Sequence, residues 1–289
     1  MTTSWDTLGT VDPRRVVDAR LQLHWAAQAA SAPARQLLEH QPDYSEQSLQ
    51  WVPGALALAQ GLVNGVWPFR SGLRPSPPAL VLLDAHDRAT AELPLDGRTL
   101  DELYAWLDKE VPRRVGRQLF QPLQRPGEGL PEHGVADGER FSSLDTAAFS
   151  EVGRWFANAH RLLTGVTQRH PEAAPVRCWP HHFDIATLIA LDADTHSETA
   201  RSIGVGLSPG DSGRANPYFY VTPWPYPQGR ELPELEGGGV WNTEGWTGAV
   251  LETAALLRAG IGPAQAEQAE RFVESAIAAC RSLLTPVED

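Results

Sequence analysis

Two imidazoles and a carboxylate fall within four positions at His181-His182-Phe183-Asp184, and Asp192, Asp194, His196 and Glu198 follow closely. Imidazole and carboxylate are the side chains that ligate divalent metals and that exchange protons near neutral pH, so the run carries two candidate chemistries. In a metal site the ligands would be His182, Asp184 and His196. If residues 178–184 form a strand, side chains alternate, so His182 and Asp184 share one face and His181 takes the other. In a metal-free acid–base site Asp184 would orient one imidazole. A plainer reading competes, in which both histidines are hydrogen-bonded in the core or at its rim and Asp192 to Glu198 is a solvated turn. Two His and one Asp without a recognised ligand spacing do not decide among these.

The next chemically suggestive segment is Ser202-Ile-Gly-Val-Gly-Leu-Ser-Pro-Gly-Asp211, in which Ile203, Val205 and Leu207 alternate with Ser202, Gly204 and Gly206. A strand with one side stripped of side chains is weakened unless a helix or a ligand packs there, which makes Gly204, Gly206 and Ser208 candidate binding positions. The run has neither Rossmann glycine spacing nor a P-loop lysine, and Ser208-Pro-Gly-Asp211 is first of all a tight turn. Tyr218 to Tyr226 then forms an aromatic strand running into a proline-stiffened segment. Aromatics at this density normally build a core, but Tyr220 and Trp224 are also candidates for the wall of a small-ligand site. His160 returns to the apolar face of its helix and is a further candidate, although a buried histidine is more often satisfied by one hydrogen bond than catalytic.

These residues need elements to hold them. Val17, Leu21, Trp25 and Ala29 predict a helix over residues 13–40, interrupted at Ala32-Pro33. Leu49, Trp51, Leu56 and Leu58 suggest two short strands around a Pro53-Gly54 turn. Ala79 to Leu83 and Ala89 to Leu95 flank a polar turn and read as a hairpin. Thr99 and Glu102 then make a capping-box pair for a helix whose face is Leu100, Leu103, Tyr104, Leu107 and Val111, stopped by Pro112. Residues 116–144 are rich in Pro, Gly and charge without a sustained period and read as a long loop or a lid joining two halves, 1–115 and 145–289, of a single domain. Asp145 caps the best helix, with Phe149, Val152, Trp155, Phe156, Ala159, Leu162, Leu163 and Val166 on its stripe. Strand runs over 176–191, 202–207 and 218–222 and a helix over 264–284 complete the chain. Strands followed by helices, twice over, define an α+β fold with largely antiparallel sheet.

The bulk properties narrow the function classes. A 289-residue chain can bury a substantial core without disulfides or metals. A formal charge of -12, with no offsetting Lys/Arg-rich run, argues against a nucleic-acid footprint. The longest apolar stretch, Gly54 to Trp67, is interrupted by Gln60 and Asn64 and is too short to cross a bilayer. Residues 1–12 carry acids and no apolar run, so no signal peptide is expected. Cys178 and Cys280 lack zinc or redox spacing and read as reduced core thiols, and with neither a signal peptide nor a span expected the cytoplasm follows by default.

Taken in order, His181-His-Phe-Asp184, Gly206-Leu-Ser-Pro-Gly210 and Phe219-Tyr-Val-Thr-Pro223 resemble a family of uncharacterised bacterial proteins, a domain of unknown function with H-x-F-D, G-x-x-P-G and F-Y-x-x-P motifs. Weaker similarity covers Leu21 to Trp25, Ala79 to Val111, Trp246 to Leu257 and Phe272. The family usually has an aromatic residue where Ser208 stands, and a basic-acidic pair where Ala200 and Arg201 fall. The resemblance implies no reaction, but it marks His181 with Asp184 as the catalytic pair to watch, where strand parity favours His182 with Asp184. The expectation is a small-molecule enzyme or metal-binding protein, a divalent metal being the candidate cofactor. Its alternative is a catalytically silent small-ligand-binding or interaction module.

Overall fold

The computed structural model describes residues 5–127, 129–192 and 200–285. The chain is α+β, with antiparallel sheets in two strand-rich halves. It packs as two compact units: a first of Arg14–Gly153 and Arg177–Phe183, and a second of Met1–Pro13, Arg154–Val176 and Asp184–Asp289.

The first unit opens with α1 (Pro13–Ser31), whose Ala19, Leu23, Ala26, Ala27 and Ala30 are buried, and the short α2 (Ala34–Leu37) follows Pro33. Five strands then form an antiparallel meander in chain order: β1 (Gln50–Val52), β2 (Ala57–Ala59), β3 (Arg70–Arg74), β4 (Ala79–Leu83) and β5 (Ala89–Pro94). The Asp84 carboxylate shapes the β4–β5 turn by accepting from the N–H groups of His86 and Arg88. β3 escaped the sequence reading because Arg70-Ser-Gly-Leu-Arg74 holds a single large apolar residue. It is nonetheless paired on both sides, and a Cβ on Gly72 would stand 2.5 Å from the Leu58 carbonyl oxygen.

The helix α3 (Leu100–Val115) begins at the expected capping box, the Thr99 side chain accepting from the Glu102 N–H and the Glu102 carboxylate from the Thr99 N–H. Pro112 does not stop it. The helix continues through Pro112 to Val115 and ends where Gly116 turns left-handed at φ 78 and gives its N–H to the Pro112 carbonyl. Proline costs the helix one hydrogen bond; the glycine supplies the conformation that closes it. Among the described residues, 116–144 carry only the 3-10 turn Gly134–Asp137, all within the first unit.

α4 (Thr146–Arg169) buries the stripe expected of it, and the Asp145 carboxylate accepts from the Ala148 N–H at its start. The run 176–191 is not one strand. β6 (Arg177–Trp179) exchanges backbone hydrogen bonds with Leu49 through Cys178, then residues 180–183 turn and β7 (Asp184–Ala190) begins.

In the second unit the strands run β10-β11-β9-β8-β7, all antiparallel, with β8 (Ser202–Ser208), β9 (Tyr218–Trp224), β10 (Val240–Asn242) and β11 (Gly248–Glu252). The helices α5 (Thr253–Arg258) and α6 (Pro263–Leu284) follow, and α6 packs on β8, β9 and β11. Ile185, Ile189, Ile203, Val205, Leu207, Phe219, Val221 and Leu251 are all buried on one face of this sheet. Burying each such side chain contributes about 1.5–3 kcal/mol, so this face fixes which residues must point the other way. β10, β11 and α5 escaped the sequence reading, being only three to six residues long.

Candidate functional site

The register of β7, β8 and β9 makes the opposite face of the second sheet legible row by row. Ala186, Gly206 and Tyr220 stand side by side, then Leu188, Gly204 and Thr222, then Ala190, Ser202 and Trp224. Tyr220 does not stand upright in its row. Its ring lies over Gly206, where a Cβ would come within 2.6 Å of the phenol Cζ and Oη and 2.8 Å of the Ala186 Cβ. Crossing the bare strand, the Tyr220 hydroxyl donates to Asp184 Oδ2 at 2.5 Å. The stripped glycine therefore makes room for a phenol from one neighbouring strand to reach a carboxylate on the other. A hydrogen bond to an ionised carboxylate is roughly twice as strong as one between neutral groups, so it holds the ring across the strand.

Beside this pair, Thr222 leans over Gly204, whose added Cβ would meet the Thr222 methyl at 3.1 Å. Gly204 is half-exposed, and Leu188 and Trp224 are 46% and 45% exposed. The result is a strip of open main chain at Gly204, bordered by Leu188 and Thr222, with Trp224 in the next row on one side and the Tyr220 ring on the other.

A second phenol–carboxylate pair lies next to the first. Tyr218, its ring 6.4 Å from that of Tyr220, donates to Asp211 Oδ2 at 2.5 Å. The tight turn expected at Ser208-Pro-Gly-Asp211 is instead the start of a wider loop, 209–217, between β8 and β9; in it the other Asp211 oxygen accepts from the N–H groups of Gly213 and Arg214, each at 2.7 Å, and Ser208 Oγ accepts from the Gly210 N–H. The Arg214 guanidinium sits 5.6 Å over the Tyr218 ring, bonds Asn242 at 2.9 Å and comes within 3.6 Å of Glu252. Burial, then the Asp211 carboxylate, push the Tyr218 hydroxyl above its ordinary pKa. A cavity of about 160 Å³ opens here between Arg214, Tyr218, Glu252 and Thr253.

The histidines stand differently. His181 and His182 are exposed on the 180–183 turn with ring centroids 4.4 Å apart. Because the turn interrupts the strand, alternation does not pair His182 with Asp184, and that expectation is corrected. The turn is tight: the Phe183 N–H bonds the Trp179 carbonyl at 2.6 Å, and Phe183 is buried with φ 58. Partial burial, then the neighbouring His182 imidazole, lower the His181 pKa. His160 lies on α4, whose Trp155 meets Phe219, so it belongs to the helix covering the sheet face opposite Asp184 and Tyr220. His160 is half-buried, its Nδ1 has no hydrogen-bond partner, and burial, then Arg161, lower its pKa. His196, with Asp194 and Glu198, lies outside the described residues. Among the described residues no group of three or more His, Cys, Asp or Glu side chains could hold a metal ion.

Sequence reasoning missed Asp211, Tyr218 and Arg214 as site residues, although Tyr218 shares its strand parity with Tyr220. It also missed His24 and Gln28 on α1, which carried no local signal. His24 Nε2 lies 2.9 Å from the Pro180 carbonyl and 3.3 Å from that of His181, its ring stacks on Phe183 at 5.3 Å, and Gln28 donates to the Pro180 carbonyl at 2.5 Å. Burial holds His24 down to a pKa of about 4, so the ring is neutral and donates through Nε2–H to these carbonyls.

The fold and site define an α+β protein with a carboxylate–phenol pair on an open sheet face. No protein-family model, no curated protein and no solved structure matches the chain. No helix among the described residues is long and apolar enough to cross a membrane.

Proposed function

We propose that the chain binds a small organic molecule on the outer face of the second sheet, laid flat over Gly204 between Leu188 and Thr222, with Trp224 as an aromatic contact and the Asp184–Tyr220 pair as its polar anchor. The observation that carries this reading is the Tyr220 hydroxyl bonded to Asp184 at 2.5 Å across Gly206, beside main chain left open at Gly204. Ligand sites combine apolar walls with a few placed polar groups, and these residues have that composition. Asp184, Asp211 and Glu252 outnumber Arg214 on this face, which favours ligands that present an amine or another donor.

The same bond supports a second reading, in which Tyr220 and Asp184 pass a proton to or from the bound molecule and the protein is an enzyme. A metal-dependent version rests on His182, Asp184 and His196. Both cysteines are buried and outside disulfides, and we place the protein in the cytoplasm on that basis.

The test is a binding screen by ligand-observed NMR with matched aromatic amines and aromatic carboxylates. Amines should bind the unaltered protein, more weakly the Asp184→Asn and Trp224→Ala variants, and as before an Arg113→Ala variant on α3. Equal binding to all four proteins would remove the proposal. Zinc, manganese or iron content unchanged by His182→Ala and Asp184→Ala would remove the metal version.

A further inference from the structure

Residues 5–12 form an arm without helix or strand pairing, yet it is held in place by side chains that read its main chain. Asn158 of α4 accepts from the Asp6 N–H at 2.9 Å and donates to the Asp6 carbonyl at 2.7 Å. Two residues on, Gln265 of α6 accepts from the Leu8 N–H at 2.9 Å and donates to the Leu8 carbonyl at 3.1 Å. Both amides are completely buried. Each does for one arm residue what a partner strand does, taking its N–H and its C=O together. The pairs span 152 and 257 residues of chain, so the groove is assembled without the arm's neighbours in sequence. Side-chain identity enters through two apolar contacts: Leu8 is buried, and the Trp5 ring lies 6.3 Å from Phe219. Gly9, at φ 81, then turns the chain where a Cβ would collide with Leu257 at 2.6 Å.

We propose that this groove of the second unit is a peptide-recognition site, filled by the chain's own arm, and that it accepts the same arm from a second copy of the protein. Main-chain recognition is indifferent to which copy supplies the peptide, so an exchanged arm makes every contact that the resident arm makes. A second copy is the occupant because the Trp5 and Leu8 pair seated in the groove is the arm's own. The hinge favours exchange: Thr10 to Asp12 are all that separate Gly9 from Pro13, where α1 begins, and short hinges promote arm exchange.

The experiment shortens the hinge by deleting Val11 from the full chain and measures mass in solution by native mass spectrometry. The shortened chain is expected to be a dimer, and an excess of a synthetic peptide of residues 4–11 should return it to a monomer carrying one peptide. The same peptide, fluorescently labelled, should bind the full chain bearing Leu8→Ala at least tenfold more tightly than the unaltered chain, whose resident arm competes. A peptide with serine in place of its leucine should not bind. A folded monomer after Val11 deletion, or a dimer that persists in excess peptide, would overturn arm exchange. Equal binding of the leucine and serine peptides to the Leu8→Ala chain would overturn the recognition site itself, even if the shortened chain failed to fold.

Discussion

Replacing Gly206 by alanine should uncouple Tyr220 from Asp184. The new methyl would stand 2.6 Å from the phenol Cζ and Oη and 2.8 Å from the Ala186 Cβ. The phenol can swing away, since it is the end of a rotatable side chain, but the Ala186 Cβ is fixed to the adjacent strand and yields only if the sheet shifts. Losing a hydrogen bond to a carboxylate costs about 1.5–3 kcal/mol, and crowding at Ala186 adds about 1 kcal/mol at the low end of overpacking effects. Against this, alanine contributes roughly 0.5–1 kcal/mol relative to glycine in a strand interior. The net loss is about 1.5–3.5 kcal/mol, measured by urea denaturation. The decisive assay is a double-mutant cycle with Tyr220→Phe. If Gly206→Ala acts by displacing the phenol, removing the hydroxyl afterwards costs little, and the coupling energy should be at least about 1 kcal/mol. Additive losses, or an unchanged stability for Gly206→Ala, would refute the claim that the bare strand exists to seat Tyr220.

Further outcomes follow from buried groups. With a folded pKa of about 4 against an unfolded value near 6.5, the neutral His24 contributes stability that is fully present above pH 6.5 and lost as pH falls toward 4. The loss approaches about 3 kcal/mol, and His24→Gln should flatten that part of the stability profile. Burial pushes the Cys280 thiol up to about 12, so Cys280 and the equally buried Cys178 should resist maleimide in the native state and react only on unfolding, as mass spectrometry would show. Phe272→Ala on α6 removes a fully buried ring and should cost about 3–5 kcal/mol by urea denaturation.

The helices were the legible part of the fold, because their signals are local. The α4 stripe, the Thr99–Glu102 capping box and the break at Ala32-Pro33 each lie within a few residues, and each appears where the pattern put it. Pro112 misled because a proline vetoes one hydrogen bond rather than a whole helix, and the actual end needed the left-handed Gly116. β3 and β11 were hidden because pairing, not side-chain pattern, defines them. Gly72 lies too close to the Leu58 carbonyl for a side chain, and Gly248 too close to Trp246, so both strands carry glycine where alternation would show an apolar residue.

At the site, period two sufficed wherever the strand was regular and failed where it was not. The alternation of Ile203, Val205 and Leu207 correctly required a face bare at Gly204 and Gly206, and at Gly206 the occupant is the Tyr220 ring of the protein itself. The parity that joined His182 to Asp184 failed because the chain turns at 180–183, and what enforces that turn is remote. His24 and Gln28 fasten its carbonyls from a helix more than 150 residues earlier in the chain, in positions that a sequence pattern reads only as the interior of an alanine-rich helix. Asp184 is the first residue after that turn and the first of β7, so its place beside Tyr220 depends on where the turn ends. Ile185 and Ile189 take the buried face, and alternation from the end of that turn sends Asp184 to the other, where Tyr220 meets it. The identity of the carboxylate could thus be read from the sequence, and its direction could be read only from the register of three strands.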